Sequence, residues 1–435
     1  MSRNFSLFIL VAMVLGVGVG WWINTSVATE AATEIAGYLK IATDVFLRLI
    51  KMIIAPLVFS TLVAGIAHMG SAERVGRIGA RTLAWFIGAS AVSLTLGVIM
   101  VTLFQPGAGL NLPLPPEDAD VGVKAASLNL KDFITHVVPT SIADAMAKNE
   151  ILQIVVFSVF VGVAIAALGE KAKLITHVME QVVEVMLKVT GYVMLVAPIA
   201  VFAAIAAAIA QHGLEILWTY GKFVGSFYLS LGVLWLLLVL AGMAMIGPRI
   251  MRLVTELREP ILLAFSTSSS EAAFPRTIEA LRRFGVPKRI SGFVLPLGYS
   301  FNLDGSMMYC TFATLFIAQI YGIVLSPMQI VTMLGILMVT SKGIAGVPRA
   351  SLVVIAATLP TFGIPSAGLL LIFAIDQFLD MGRSATNVVG NAVASAVAAK
   401  WEGELKDGPA DEDGIAPLPP DYPLAPEATP SGVPV

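Results

Sequence analysis

The sequence predicts an all-α polytopic membrane protein, and three observations lead there. Of its 435 residues, 57% are apolar and only 13% charged, too few polar groups to clothe a water-facing surface. Apolar runs long enough to cross a bilayer recur along the chain. The loops between them alternate in Lys and Arg content, which is the signal that orients membrane spans.

The runs fall near residues 5–23, 37–68, 79–105, 151–168, 174–211, 214–247, 288–322 and 367–400. The first follows Arg3 and imitates a secretory leader. It lacks a small-residue cleavage site and many spans follow it, so it reads as an uncleaved helix. Arg3, Arg74/Arg77/Arg81, Lys171/Lys173, Arg249/Arg252/Arg258 and Arg282/Arg283/Lys288/Arg289 fall on one side. Segments 24–36 and 106–123 carry no Lys or Arg, and the second holds Glu117, Asp118 and Asp120. The positive-inside rule then gives eight spans with both termini in the cytoplasm. Residues 403–435, rich in Pro, Asp and Glu, predict a disordered cytoplasmic tail.

Two stretches do not fit eight simple spans. Ile261–Pro275 (ILLAFSTSSSEAAFP) and Met333–Ala357 (MLGILMVTSKGIAGVPRASLVVIAA) are apolar arms broken by Ser, Thr, Gly and Pro. The first starts and ends at basic clusters, and the second lies between an outward and an inward span, so both read as re-entrant hairpins. Irregular backbone at membrane depth is tolerated only where protein or a water-filled cavity surrounds it. Residues 266–276 and 339–349 coincide at five of eleven positions, which predicts an inverted repeat. Interrupted segments in corresponding halves point to a transporter's binding site; coincidence among small residues is the alternative.

The seventh run, VLPLGYSFNLDGSMMYCTFATLFIA, places Asn302-Leu303-Asp304-Gly305 at its middle. An Asp in hydrocarbon costs roughly 2.5–3.5 kcal/mol on insertion scales, and Gly305 loosens a helix there. The turn predicts a break in the span that sets Asn302 and Asp304 at mid-membrane.

The last run holds AIDQFLDMGRSATNVVGNAVA. At about 100° per residue, Asp376, Asp380, Arg383, Ser384, Asn387 and Asn391 share about 100° of arc. Such a stripe belongs against an enclosed cavity rather than lipid; a purely structural Asp–Arg network is the alternative. Arg383 offers a fork of donors for a carboxylate, and Asp380 one turn earlier suits an ammonium. Asn387 donates and accepts, and hairpin amides can cradle a second carboxylate. A small ligand with two carboxylates and one amine, such as aspartate or glutamate, satisfies them together.

Other classes lack support. The balance of 27 basic and 29 acidic residues argues against nucleic acid as a partner. A single cysteine, Cys310, leaves no internal disulfide, and His68, His136, His177 and His212 have no metal-ligand spacing. No nucleophile–base pair supports an enzyme, no cofactor is implied, and hydrogen-bonding specificity on two hairpins exceeds what a simple pore needs.

The strings TSSSEAAFPR, LPLGYSFNLDGS, TSKGIAGVPR and LDMGRSATNVVGNAVA resemble the signatures of the dicarboxylate/amino acid:cation symporters, over nearly the whole chain to about Trp401. The resemblance is strongest to the bacterial proton/glutamate–aspartate symporters and next to the C4-dicarboxylate branch. It implies that Arg383 holds the substrate's side-chain carboxylate, Asp380 its amino group, and Asn387 stands near its α-carboxylate. Ser269 and Ser270 match first-hairpin serines, while Ser306 and Ser384 stand where related members have pocket threonines. The second hairpin, Ile344 to Arg349 with Gly346 and Val347 at the pocket, would be the extracellular gate. Arg349 replaces a usual Gly, as a carboxylate contact or an interfacial side chain. The resemblance further implies a homotrimer in a cell (inner) membrane working as an elevator. Residues 1–78 and 106–213 would be scaffold, and 79–105 and 214–402 would be the transport domain.

The same resemblance bears on the coupled cation. Gly298, Asn302 and Asp304 are retained from sodium-coupled relatives, leaving a possible Na⁺ position at Gly298, Asn302, Asn387 and Asn391. Asn391 replaces a carboxylate, Phe86 and Ala89 replace a Tyr and a Thr hydroxyl on span 3, and Ile344 replaces another hydroxyl. Fewer hard oxygen ligands favour protons over several sodium ions. Glu271, Asp304 and Asp376 are candidate proton carriers; for Glu271 a salt bridge to Arg276 is the alternative.

Overall fold

In a computed structural model the described residues are mostly helical, with no strand among them. These are 5–69, 72–108, 114–115, 135, 137–214, 220–341, 350–373 and 375–410. Gly346, Val347, Ile344 and Arg349, the gate residues of the second hairpin, lie outside them, as do residues 411–435 of the expected tail.

Five helical stretches among the described residues are long and apolar enough to cross a membrane: Leu7–Ser26, Thr29–Ala67, Glu73–Phe104, Ile151–His212 and Gly221–Glu256. The fourth contains two of the predicted runs, because Gly169, at φ +54°, turns the chain between the helices Ile151–Leu168 and Lys173–Val193. The seventh and eighth runs are absent from this set for opposite reasons. One is broken into Lys288–Phe301 and Asp304–Ile320, and the other, Asp376–Trp401, is whole but carries the polar stripe.

The first predicted hairpin is two antiparallel arms, Arg258–Thr267 and Phe274–Phe284, joined through Ser268, which caps the first arm in the left-handed region (φ +51°). Its arms extend beyond the predicted Ile261–Pro275 because the basic flanks Arg258 and Arg276–Arg283 continue the helices. The second has the arms Pro327–Thr340 and Ala350–Thr358. A capping box fixes the start of the former, with Ser326 Oγ accepting from Gln329 N–H and Gln329 returning a side-chain acceptor.

The helices sort by packing into two sets. Phe5–Ser26, Thr29–Met69, Ile151–Leu168, Lys173–Val193 and Ala197–His212 pack on one another around Thr29–Met69 and Ala197–His212. Ala72–Phe104, Gly221–Ile246, the broken seventh helix and the first hairpin pack around Asp376–Trp401. The sets meet where Lys288–Phe301 crosses Thr29–Met69 and where the first hairpin crosses Ala197–His212.

One expectation is corrected. Disorder was predicted from Gly403, yet residues 403–410 are ordered against the basic end of the bundle. Glu404 pairs with Arg74 and Arg289, Asp407 pairs with Arg249, and Lys406 N–H donates to Gly285 O at 3.0 Å. A scarcity of apolar residues signalled disorder, but here charge neutralisation and backbone bonding replace apolar burial.

Candidate functional site

The break in the seventh helix is built by side chains from three helices. Asn302 and Leu303 leave helical geometry (φ −130° and −96°), and the second half-helix starts at Asp304. Its orphaned N–H groups are met from the last helix: Asn387 Oδ1 accepts from Gly305 N–H at 2.9 Å and from Ser306 N–H at 3.4 Å. Asn302 Nδ2 donates to Asp304 Oδ2 at 3.1 Å and Asn391 Oδ1 at 3.2 Å. Ser93 Oγ donates to Asp304 Oδ1 at 3.2 Å, and Ser90 Oγ to the Phe301 carbonyl at 3.4 Å. Asn302, Asp304 and Asn391 are fully buried, and the Asn302 Oδ1 atom is buried with no hydrogen-bond donor. Two glycines make this approach possible: a Cβ on Gly298 would stand 2.1 Å from Asn391 Oδ1, and one on Gly390 1.9 Å from Asp304 Oδ2.

One turn away sits an ion-pair cluster. Arg383, fully buried, pairs through Nη2 with Asp380 at 2.8 Å and through Nη1 with Asp376 at 3.1 Å. Its guanidinium lies over the Tyr309 ring, 4.1 Å from the centroid, and Tyr309 donates its hydroxyl to Asp376 Oδ1 at 3.1 Å. The last helix therefore turns Asp376, Arg383, Ser384, Asn387 and Asn391 into the protein, with Asp380 half-buried. On its other side Thr386 accepts from Trp235 Nε1, and Gly382 packs on Leu231 and Tyr228.

Asp380 opens onto a cavity of about 370 Å³ between the two helix sets. Ser384, Asn387, Ser306 and the first-hairpin residues Ser268–Glu271 line one side. The facing wall is Thr29–Met69, presenting Lys40, Asp44 and Lys51, with His212 and Gln211 from Ala197–His212. The volume suits a small organic ion. Hydroxyls predominate on the hairpin side, with Glu271, Asp380, Gln377 and Asn387 among them, so such a ligand would be held by hydrogen bonds and ion pairing.

The structure thus brings together Ser269, Ser270, Glu271, Ser306, Asp380, Ser384 and Asn387 on one cavity. Gly298, Asn302, Asp304 and Asn391 assemble behind it at the break, and Asp376 and Arg383 beside it. Ser269 Oγ accepts from Ala272 N–H at 3.2 Å, tightening the hairpin tip. Arg276, the suggested partner of Glu271, pairs with Glu279 at 2.7 Å. The Gly298 carbonyl accepts from Asn302 N–H at 2.7 Å, and the missing side chain of Gly298 leaves room for Asn391.

Sequence reasoning missed several residues. Span 3 offers no hydroxyl at Phe86 or Ala89, yet its Ser90 and Ser93 bring hydroxyls to the break. Ser93, one turn beyond Ala89 on the same face, is the signal that could have found them. Gln377 Nε2 donates to Ser268 Oγ at 2.7 Å, tying the last helix to the hairpin tip. Tyr309 sits among apolar residues with nothing in its local sequence to mark it, whereas Lys40 and Lys51 are eleven residues apart and so lie on one helix face. Among the described residues, no His, Cys, Asp and Glu cluster has the makings of a metal site.

Residues 5–401 match the sodium:dicarboxylate symporter family. The chain is 42% identical over 405 residues to the proton/glutamate-aspartate symporter of Escherichia coli (strain K12), covering 91% of this chain and 92% of the relative. It is 39% identical over 406 residues to the proton/sodium-glutamate symport protein of Bacillus caldotenax, covering 92% and 94%. To the C4-dicarboxylate transport protein of Laribacter hongkongensis (strain HLHK9) it is 38% identical over 416 residues, covering 94% and 90%. With an all-helical chain, apolar spans and a polar cavity between two helix sets, the protein is a membrane transporter and not an enzyme, and it belongs to the sodium:dicarboxylate symporter family.

Proposed function

We propose that the protein imports acidic amino acids, L-aspartate or L-glutamate, together with cations. The carrying observation is that Asp380, on the cavity wall, pairs at 2.8 Å with Arg383 buried beside it. An amino acid with a side-chain carboxylate can exchange into that pair without stranding either charge. Its carboxylate takes the guanidinium fork, and its ammonium takes Asp380. The serines at the hairpin tip and Asn387 remain for the α-carboxylate.

Charge explains the need for a cation. Asp376, Asp380 and Arg383 together carry one net negative charge, and the substrate adds another. Asp304 lies just behind them. Entry of an anion into a negative-inside cell is further opposed by about 2.3 kcal/mol per charge per 100 mV. The break supports a cation position: a buried carboxylate, the serine hydroxyls of helix Ala72–Phe104 and the undonated Asn302 Oδ1 converge there. With Asn391 neutral we favour protons over sodium, carried at Asp304 or at Glu271 on the cavity wall. Asp376 is a weaker candidate, since Arg383 and Tyr309 already hold it. Uptake into proteoliposomes with separate pH and sodium gradients tests this. Loss of uptake when choline replaces sodium at fixed pH overturns proton coupling.

The two helix sets support an elevator, with residues 1–78 and 106–213 as scaffold and 79–105 and 214–402 as the moving unit, since the proposed ligand and cation residues lie on the second set and the first supplies the facing wall. Eight spans with two re-entrant hairpins, cytoplasmic termini, a homotrimer and a bacterial inner membrane complete the reading.

C4-dicarboxylate transport is the second reading, favoured by relatives of that name at 38–39% identity. Asp380 separates the two, because beside an amine-free dianion it repels. Asp380→Ser is expected to weaken aspartate far more than succinate or malate in competition uptake. Equal loss of both counts against its role.

A further inference from the structure

Residues 402–410 leave the last helix and cross the end of the bundle where the first hairpin is rooted. The Glu402 side chain, only 3% exposed, accepts from Arg77 Nη2 and Arg81 Nη1, each at 2.9 Å. Glu404 pairs with Arg74 and, at 2.7 Å, with Arg289. Asp407 pairs with Arg249, and its carbonyl accepts from Arg252 Nη1 at 2.7 Å. Two backbone bonds complete the strap: Lys406 N–H to Gly285 O at 3.0 Å, and Ala410 N–H to Arg282 O at 2.9 Å. The hairpin root is shaped to receive it. Gly285 stands at φ +121°, and a Cβ there would lie 2.3 Å from the Lys406 carbonyl oxygen.

Nine residues thus hold together helix Ala72–Phe104, the start of the broken helix, the Arg249–Arg252 turn that follows Gly221–Ile246, and the hairpin root. The first of these matters most for the site, because Ser90 and Ser93 lie on it. From Arg81 to Ser90 is about 13.5 Å of helix, and a helix of that length transmits a shift or rotation of its end almost undiminished.

We propose that Glu402 and Glu404 are positioning residues of the transport cycle. Gripping Arg74, Arg77 and Arg81, they fix the height and rotation of the Ala72–Phe104 helix against the hairpin and the broken span. They thereby set the approach of Ser93 to Asp304. The proposal rests on the reading of the Asn302–Asp304 break as the cation position. It assigns to the segment after the last helix a part in coupling, where its composition suggested a passive tail.

Two measurements on the full chain test it. Hydrogen exchange on the purified protein should show the Lys406 and Ala410 amides protected; exchange at the rate of free chain overturns the strap. The paired variant Glu402→Gln/Glu404→Gln should then lose this protection. In proteoliposomes it should raise the cation activity for half-maximal uptake by about threefold to tenfold, the range for losing one or two partly exposed ion pairs. The aspartate KM at saturating cation should stay within about twofold, and Glu402→Asp/Glu404→Asp should recover part of the shift. Lost protection with unchanged cation activation overturns the positioning role, and so does an equal change in cation activation and aspartate KM. If the unmodified protein shows no cation dependence, the reading of the break fails and the coupling role with it, while the exchange data still report the strap.

Discussion

Two ion-pair clusters hang on the last helix and are built in opposite senses. Near its start one guanidinium, Arg383, is shared by two carboxylates, with no part of it at the surface. Beyond its end single carboxylates are shared by two guanidiniums, and Arg77 and Arg81 there remain 45% exposed. The buried cluster is acid-rich, so it has a standing demand for positive charge and a partner it can exchange. The peripheral cluster is arginine-rich and its carboxylates are saturated, which suits a permanent tie. Burial makes the first sensitive to any change of partner, and solvent softens the second.

Removing the shared guanidinium is the hardest way to break the comparison. Arg383→Ala leaves Asp376 and Asp380 without their counter-charge, a cost of about 3–5 kcal/mol for a broken buried pair. Uptake should vanish and the thermal unfolding midpoint of the purified protein should drop. Arg383→Lys keeps the charge but not the planar fork or the stacking on Tyr309, so it should restore folding far better than transport. A variant without Arg383 that still accumulates aspartate would sink the site.

A steric test comes next. Gly390→Ala places a methyl 1.9 Å from the fully buried Asp304 carboxylate, so Asp304 or the helix must shift. Overpacking of this kind costs about 1–3 kcal/mol, here toward the upper end. Because the displaced group is Asp304, cation activation of uptake should weaken more than aspartate KM. The reverse order would place the cation elsewhere.

Much of this arrangement could be read from the residues, and the failures have a pattern. The broken seventh span, the first hairpin and the inward stripe were legible because each sets residues against their surroundings. Asn-Leu-Asp-Gly in an apolar run, Ser clusters between apolar arms and six polar groups on one helix face are local contradictions. Tyr309, Ser90 and Ser93 were not legible, because a tyrosine or serine in an apolar helix contradicts nothing; only the partner helix gives it a role. The order of residues 403–410 was hidden for the same reason. Their partners, Arg74, Arg249, Arg282, Gly285 and Arg289, are remote in sequence, so composition recorded the missing apolar surface and not the ion pairing that replaces it.

Tyr309→Phe sharpens the buried side. It keeps the ring under Arg383 and removes only the bond to Asp376, so the loss should be near about 1.5 kcal/mol, the low end for a hydrogen bond to a charged group. Asp376 still has Arg383, so folding should persist. A modest fall in thermal midpoint with retained uptake is expected, and complete loss of uptake would mean that the hydroxyl itself takes part in transport.

The smallest effect belongs to the peripheral cluster and is read as a pH dependence. The hydrogen bond from Arg77, aided by the charges of Arg77, Arg81 and Arg74, holds the Glu402 carboxyl below the ordinary carboxylate range. A carboxylate whose folded-state pKa is depressed contributes stability above its unfolded value and loses it as pH falls through the folded one. Protection of the Lys406 amide should therefore be flat from neutral pH down to the ordinary carboxylate range. It should fade only in stronger acid, since the arginine partners do not titrate. Glu402→Gln should shrink that acid limb and lower the neutral plateau, while the Glu404 pairs with Arg74 and Arg289 remain. Fading already between about pH 7 and 5, where histidines titrate, would show that some other group governs the strap and that the contrast between the two clusters is drawn in the wrong place.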